Sequence, residues 1–482
     1  KLSFSTRGYF LNDAATASFP GPMIRMKAGS RCEVTIVNEL PAGQSPACAP
    51  GHHSNTLLCP DTTNLHTHGL HVSPYQDDID TSVFPDGDSH TYTYDIPENH
   101  LMGTHWYHAH HHGSTNLQVS GGLVGMLIVD PADSYTLPAD LAALYDDANT
   151  QQYFMAFQHI WMTGDDAGNT PWDQVSLPTW AARFPDQTIS PNPVLAGALG
   201  DFYAVNGAYQ PDVAVEAGSA TLLRMVHGGG ARSLILQPAD DRCTMTLLSR
   251  DGVFHATPFQ TLTSAAFLPG TRSDIAITCD PVLAGTTVAV AGILDPTGPY
   301  GTNTFEQAVV FNLVITDSGT ADDIELPSSQ PPMPSYLDSL LTTTADPLPN
   351  GATEAAVNLA ALAVNGQSFL GWDAIESGGL YTVGAVALTG VHPYHHHINH
   401  FQLRTLGVNV ANSDYMRVGE WRDVTAHITG AVLAFPTADF VGPIVMHCHI
   451  LQHEDVGMMG LYNVTDCDPP ADTGGSDTGD TG

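Results

Sequence analysis

Five His-x-His pairs stand out in this 482-residue chain: His66/His68, His108/His110, His110/His112, His395/His397 and His447/His449. With 24 histidines present, chance alone predicts about one such pair when composition is the prior. In an extended strand, residues two apart point to the same face. Each pair therefore presents two imidazoles to one side, and pairs from separate strands can converge on one cavity. Imidazole is a ligand for copper, zinc, iron and nickel.

The segment His447-Cys448-His449 narrows that choice. Its histidines face one way and Cys448 the other. His453 and Met458 follow it, and His392 precedes the pair His395/His397. Two histidines, a cysteine thiolate and a distant methionine make the ligand set of a blue-copper electron-transfer site. One face of this short segment thus holds a cysteine site and the other a histidine-only site, with one residue of backbone between them.

Such pairs need strands to carry them, and the rest of the chain reads as strands. Helical periodicity is scarce. Short apolar or alternating runs recur at residues 32–37, 122–129, 220–226, 275–278, 287–291, 309–315 and 383–388. Gly, Pro, Asn and Asp clusters part them, with 45 Gly and 34 Pro in all. This is the pattern of an all-β chain of several sandwich or barrel domains. Residues 130–150 and 317–351 lack sustained periodicity and are rich in Pro, Asp, Ser and Thr, which predicts inter-domain connections. The division that follows is 1–135, 136–320 and 321–467, with Val205-Asn206-Gly207 and Val364-Asn365-Gly366 as a weak repeat opening the second and third units. The acidic, Gly/Thr/Ser-rich tail 468–482 is expected to be disordered.

Charge excludes some partners. The chain has 14 Lys+Arg against 50 Asp+Glu, a formal net charge of -36, although charged residues make up only 13%. Nucleic acids and anionic membranes need a basic face, so neither is an expected partner. No run of 18 apolar residues predicts a membrane span. The opening Lys1-Leu2-Ser3 carries no charged-then-apolar leader, which reads as a mature, exported chain without its signal peptide. Setting Cys448 aside leaves six cysteines. They suit three disulfides of a secreted protein, expected as Cys48–Cys59, Cys243–Cys279 and Cys32–Cys467.

Four stretches, HTHG at His66, WYHAH at Trp106, HPYHHH at His392 and HCHILQHEDVGMM at His447, resemble the four copper motifs of multicopper oxidases. They come in the family's order and span both ends of the chain, and their ending is similar to the bacterial, three-domain, laccase-like branch. The resemblance implies three cupredoxin-like Greek-key β-domains and four coppers per chain. It implies a type 1 copper on His392, Cys448, His453 and Met458, and a type 2 copper on His66 and His395. His68, His108 and His449 would hold one type 3 copper, and His110, His397 and His447 the other. A reductant gives electrons singly to the type 1 copper, and dioxygen is reduced to two waters at the trinuclear cluster. Glu454, directly after His453, matches the family's proton-delivering acid. A second acid commonly follows the first motif; Asp77, Asp78 and Asp80 are the candidates, and Asp80 is favoured. His105, His111, His112, His396 and His400 fall outside the ligand positions and are expected to pack or meet solvent, as Trp106 and Tyr107 are expected to pack.

The expected activity is laccase-like: oxidation of phenols or aromatic amines with dioxygen, by a monomer. Only Met333 lies in the third unit ahead of His392, whereas cuprous oxidases of the family carry a methionine-rich insertion there. A metal-ion oxidase for Cu(I), Fe(II) or Mn(II), or a bilirubin oxidase, is the enzymatic alternative. A copper-binding electron carrier without turnover has no use for eight additional histidines.

Overall fold

The structure is a computed structural model and describes residues 7–11, 18–42, 55, 58–146, 148, 151–160, 202–295, 298–317, 324–342, 346–347, 374–384 and 391–465. It is nearly all β, with 46% strand and 7% helix. Its strands form six sheets that follow one another along the chain in pairs.

The first pair is a four-stranded sheet, ordered Gly21–Lys27, Val124–Asp130, Gly103–His108 and His66–His68, beside a two-stranded sheet of Arg31–Asn38 and Asp88–Asp95. The second pair is built around Cys243–Arg250, Arg272–Cys279, Thr221–His227 and Gln152–Ile160 on one side, and Leu234–Pro238, Thr287–Gly292 and Gln307–Thr316 on the other. The third has Phe401–Leu406 and Ala431–Pro436 in one sheet, and Met459–Thr465, Gly442–Cys448, His392–His396 and Val424–His427 in the other. Patterning decides depth. Val124–Asp130, apolar on both faces, is buried at every position but the last, whereas the alternating Arg31–Asn38 buries only alternate residues toward its end. One apolar core runs from Met26, Leu65 and Leu127 in the first pair to Tyr394, Phe401 and Ile444 in the third. The middle pair has its own, around Phe157, Phe267 and Phe311. The outer two pairs are thereby held face to face, and the histidine-bearing strands lie in both.

Most expected runs are strands: all of 220–226 but its first residue falls in Thr221–His227, 287–291 in Thr287–Gly292 and 309–315 in Gln307–Thr316. The expected connection after Asp130 contains a helix, Ala139–Tyr145. It buries Leu141, Leu144 and Tyr145 on one face, and two turns are too short a period to stand out in sequence. The tail 468–482, the second Val-Asn-Gly and His52/His53 lie outside the described residues.

Buried arginines join the sheets. Arg250 and Arg422 share Glu420 and the Tyr415 carbonyl. Burial pushes Glu420 up, but Arg422 and Arg250 overcome it and hold its carboxyl at about 2. Arg224 donates to Thr104 Oγ1 across the first joint. With Arg232 and Arg272 there are five buried arginines among the described residues, in a chain with only 14 basic residues. No helix among the described residues is long and apolar enough to cross a membrane.

Cys243 and Cys279 face each other in adjacent antiparallel strands and are disulfide-bonded, as expected. Cys59 is also in a disulfide; its expected partner Cys48 lies outside the described residues. The expected Cys32–Cys467 bond is not formed: Cys32 is a free thiol. It stands at the start of strand Arg31–Asn38, packed against the first core with Sγ 3.6 Å from Ser30 Oγ. Replacing both Cys243 and Cys279 by Ala releases a closure of sequence separation 36. That is expected to remove about 3–4 kcal/mol of chain-entropy stabilisation, seen as a lower thermal midpoint with an unchanged copper spectrum. An unmoved midpoint would count against it.

Candidate metal centre

Register brings the histidines together. Antiparallel pairing sets His66 opposite His108, and His395 opposite His447. His110, His397 and His449 lie just past their strand ends and are pinned by backbone bonds: His110 N–H to Asn64 Oδ1, His397 N–H to the Val445 carbonyl, His449 N–H to the Pro393 carbonyl. Rings from the two ends of the chain then stack, His66 on His397 at 4.0 Å and His68 on His395 at 3.7 Å. All eight imidazoles expected at the histidine-only site lie in this nest, each at most 1% exposed.

The nitrogens divide into two sets. Those facing outward have acceptors: His66 Nδ1 and His397 Nδ1 on Asp77, at 2.6 and 2.8 Å, His108 Nδ1 on the Ala109 carbonyl, His395 Nδ1 on the Asp423 carbonyl, and His447 Nδ1 on the Cys448 carbonyl. These bonds assign the N–H to the outer nitrogen and leave a lone pair inside. Inside, His66 Nε2, His68 Nδ1, His108 Nε2, His395 Nε2 and both nitrogens of His449 have no partner. His447 Nε2 lies 3.2 Å from both His110 Nε2 and His397 Nε2, three lone pairs aimed at one point. Burial, and then mutual repulsion, drives His66, His68, His110, His395, His447 and His449 well below the usual imidazole range; burial takes His108 to about 3. A proton therefore does not fill the gap. Desolvated acceptors without donors are costly, and bound cations remove that cost. His66/His395/His397, His66/His68/His108 and His110/His397/His447 each bring ligand atoms within 4.8 Å of one another.

On the other face, Cys448 pairs with Tyr394 rather than with a histidine. Its Sγ lies 3.5 Å from His392 Nδ1 and 3.6 Å from His453 Nδ1. Burial pushes this thiol up and takes His453 down to about 3, so two lone pairs face a sulfur. Met458 is buried and its carbonyl accepts from Cys448 N–H. His392 and His453 are 8% and 9% exposed, the outer edge of an otherwise closed site.

The acids are sorted by geometry. Glu454, in the short helix Leu451–Glu454, is fully buried, accepts from Thr115 Oγ1 and lies 3.6 Å from His110 Nδ1. Burial, reinforced by Asp455, raises its carboxyl well above the usual range. Among the three aspartates after the first motif, the structure brings Asp77, not the favoured Asp80, to the histidines. Asp77 N–H closes a turn onto the Ser73 carbonyl, and its side chain points inward to His66 and His397. Asp78 accepts from Thr81, and Asp80 is exposed. His105, His111, His112, His396 and His400 are all buried, and Trp106 packs on His108 at 4.2 Å.

Sequence reasoning missed Asp423, Arg272 and Asp455. Asp423 holds His395 through its carbonyl and reaches His68 Nε2 at 3.4 Å. Arg272 holds Asp423. Both carboxylate oxygens of Asp455 accept from the first backbone N–H groups of helix Thr115–Ser120, bringing that helix to Glu454. Only Asp455, adjacent to Glu454 within the last motif, carried a local signal.

An all-β chain that encloses a nest of neutral imidazoles one residue from a buried Cys–His pair is built to hold redox metal. Models of the multicopper oxidase family match residues 52–134 and 344–468. Laccase-2 of Pleurotus ostreatus is 24% identical, over 93% of this chain and 82% of its own length. Among solved structures, a multicopper oxidase from Pediococcus acidilactici superposes with a TM-score of 0.67 at 20% identity, covering 94% of this chain and 83% of that one. A Campylobacter jejuni multicopper oxidase described as a metallo-oxidase gives 0.64 at 19%, covering 94% and 86%. The chain belongs to the multicopper oxidase family, with three cupredoxin-like domains. It is accordingly a copper-using oxidoreductase that takes dioxygen and a reductant.

Burial of neutral histidines sets the acid stability of the metal-free protein. His100, His227 and His396 are held at about 3, and His255 and His400 at about 4, each chiefly by burial. Their folded values lie below the unfolded value of about 6.5. Stability is therefore full above pH ~6.5 and falls below it, by up to about 1.4 kcal/mol per pH unit per residue. Asp251 and Asp455, raised by burial to about 6 and about 7, act oppositely but are outnumbered. The thermal midpoint of the metal-free chain is expected to drop between pH 6.5 and 4.5; a flat or rising profile would refute this.

Proposed function

We propose that this chain is a laccase-like oxidase, coupling one-electron oxidation of phenolic or aromatic-amine donors to four-electron reduction of dioxygen to water. In this reading His392, Cys448, His453 and Met458 hold the type 1 copper. His66 and His395 hold the type 2 copper, and His68/His108/His449 and His110/His397/His447 the type 3 pair. Bound copper supplies the one-electron acceptor and the oxygen-reducing centre. The observation that carries the reading is the shared segment: Cys448 sits between His447 and His449, and its sulfur faces away from their nest. An electron delivered at Cys448 has one residue of backbone to cross. Glu454, held as an acid beside His110, supplies protons, and Asp77, bridging His66 and His397, orients two ligands and serves as the second acid in place of Asp80. The division 1–135, 136–320 and 321–467, export and a monomeric state belong to the same reading.

The donor class is argued from a cavity of about 500 Å³ lined by Val391, Val408, Val410, Ile428, Asn409 and Asn412 among others, without a charged side chain. Val391 directly precedes His392, and Ile428 directly follows its cross-strand partner His427. An uncharged, partly apolar cavity whose wall includes the residue before His392 suits a neutral aromatic ring. A metal-ion oxidase is the second reading, favoured by the net charge of -36, which concentrates cations at the surface.

Dioxygen uptake by the copper-loaded protein separates the two. Faster uptake with a methoxyphenol than with Cu(I) is expected, with four coppers per chain; the reverse order would make it a metal oxidase. Glu454→Gln is expected to keep the blue absorption and slow dioxygen reduction by at least about 100-fold. Unchanged turnover would remove Glu454 from proton delivery.

A further inference from the structure

The middle pair of sheets supplies none of the residues gathered in the two clusters, yet its residues 270–272 press on the imidazole nest. A Cβ on Gly270 would lie 2.7 Å from the His449 ring, and one on Gly69 would lie 2.1 Å from Arg272 Nη2. The glycine that ends the HTHG motif is thus the seat of an arginine 203 residues away. Arg272 is fully buried. Its Nη1 and Nη2 donate to the two oxygens of Asp423 at 2.5 and 2.7 Å, and its Nε to the Thr104 carbonyl at 3.3 Å. Asp251 accepts from Arg272 N–H at 3.0 Å and from Val424 N–H at 3.3 Å, locking both ends of the pair. Asp423 then acts on two histidines: its carboxylate accepts from His68 Nε2–H at 3.4 Å, and its carbonyl from His395 Nδ1–H at 2.8 Å.

We infer that Arg272 and Asp423 are a positioning pair for the trinuclear site, the arginine fixing the carboxylate that sets the tautomer and ring angle of His68. The inference rests on reading the nest as a copper centre. Asp423 lies close enough to His68 and His395 to count as a ligand itself. Both its oxygens already accept from a guanidinium, however, and that positive charge disfavours a cation there. A bidentate arginine–carboxylate pair is rigid where a single-point lysine is not. His68 differs from its neighbours in turning Nδ1, not Nε2, inward, so only an acceptor on its Nε2 side keeps the Nδ1 lone pair in the nest. Outer partners of this kind typically change metal affinity 10- to 100-fold.

The test loads the full chain and its Asp423→Ala, Asp423→Asn and Arg272→Lys variants with copper. Copper per chain after dialysis against a chelator, the blue absorption and the type 2 copper paramagnetic resonance are then read. Asp423→Ala is expected to keep the blue absorption while releasing the other coppers at about 10- to 100-fold lower chelator concentration. Asp423→Asn, whose amide oxygen still accepts from His68, recovers much of that loss, and Arg272→Lys shifts the type 2 resonance. If Asp423→Ala does not fold, the two conservative variants carry the test through the resonance. Variants that retain four coppers with an unaltered resonance would overturn the pair's role. A wild-type chain that binds only the blue copper would instead overturn the trinuclear reading beneath it.

Discussion

Eight imidazoles meet between the first and third pairs of sheets with their lone pairs turned toward one another and no donor among them. A neutral ring buried against other neutral rings gains little from its partners, and protonating even a few would set like charges within a few ångströms in a dry interior. Six of the eight rings are anchored from behind by an acceptor, His110 and His449 being the exceptions, and the interior gap suits cations. From this follow the near-total burial of the nest, the outward N–H groups, and the need for two separate pairs of sheets. A single sheet face could not surround a point with eight rings.

The anchoring is where the fold enters function. Asp77 bridges a histidine of the first motif and one of the third. Asp455 binds a helix that begins just past the second motif to a helix that ends in Glu454. The core that runs from Met26 to Ile444 holds these contacts at fixed distance. Strand register does the rest: with Tyr394 opposite Cys448 and His395 opposite His447, the sulfur and its flanking imidazoles cannot face the same way.

The clustering of the histidines was legible in sequence because the code for it is local. Period-two alternation separates the faces of a strand, and His-x-His marks one of them wherever the strand lies. The all-β class was legible for the same reason. What was not legible depends on distance or on loop geometry. Arg272 and Asp423 are 151 residues apart and carry no shared period. That Asp77 and not Asp80 reaches His66 and His397 depends on the path of the loop, which three closely spaced acidic residues do not reveal. Cys32 counted as half of a disulfide because pairing cysteines by number ignores where each strand sits. The helix at Ala139–Tyr145 was too brief to show a period.

Among the described residues five arginines lie inside, and four of them, Arg224, Arg250, Arg272 and Arg422, make side-chain bonds to other parts of the chain. Eight carboxylates, among them Asp251, Asp274, Asp423 and Glu420, are buried with them, so the exterior keeps the strong acidic excess of the composition. In solution such a molecule is a polyanion wrapped in a counterion cloud whose thickness follows the Debye length, about 10 Å at 0.1 M salt. Salinity thus becomes a property of the protein's working surface. Dilute media hold neighbouring copies and anionic donors at arm's length, and saltier ones let them approach, while the arginine-bound interior stays indifferent to the change.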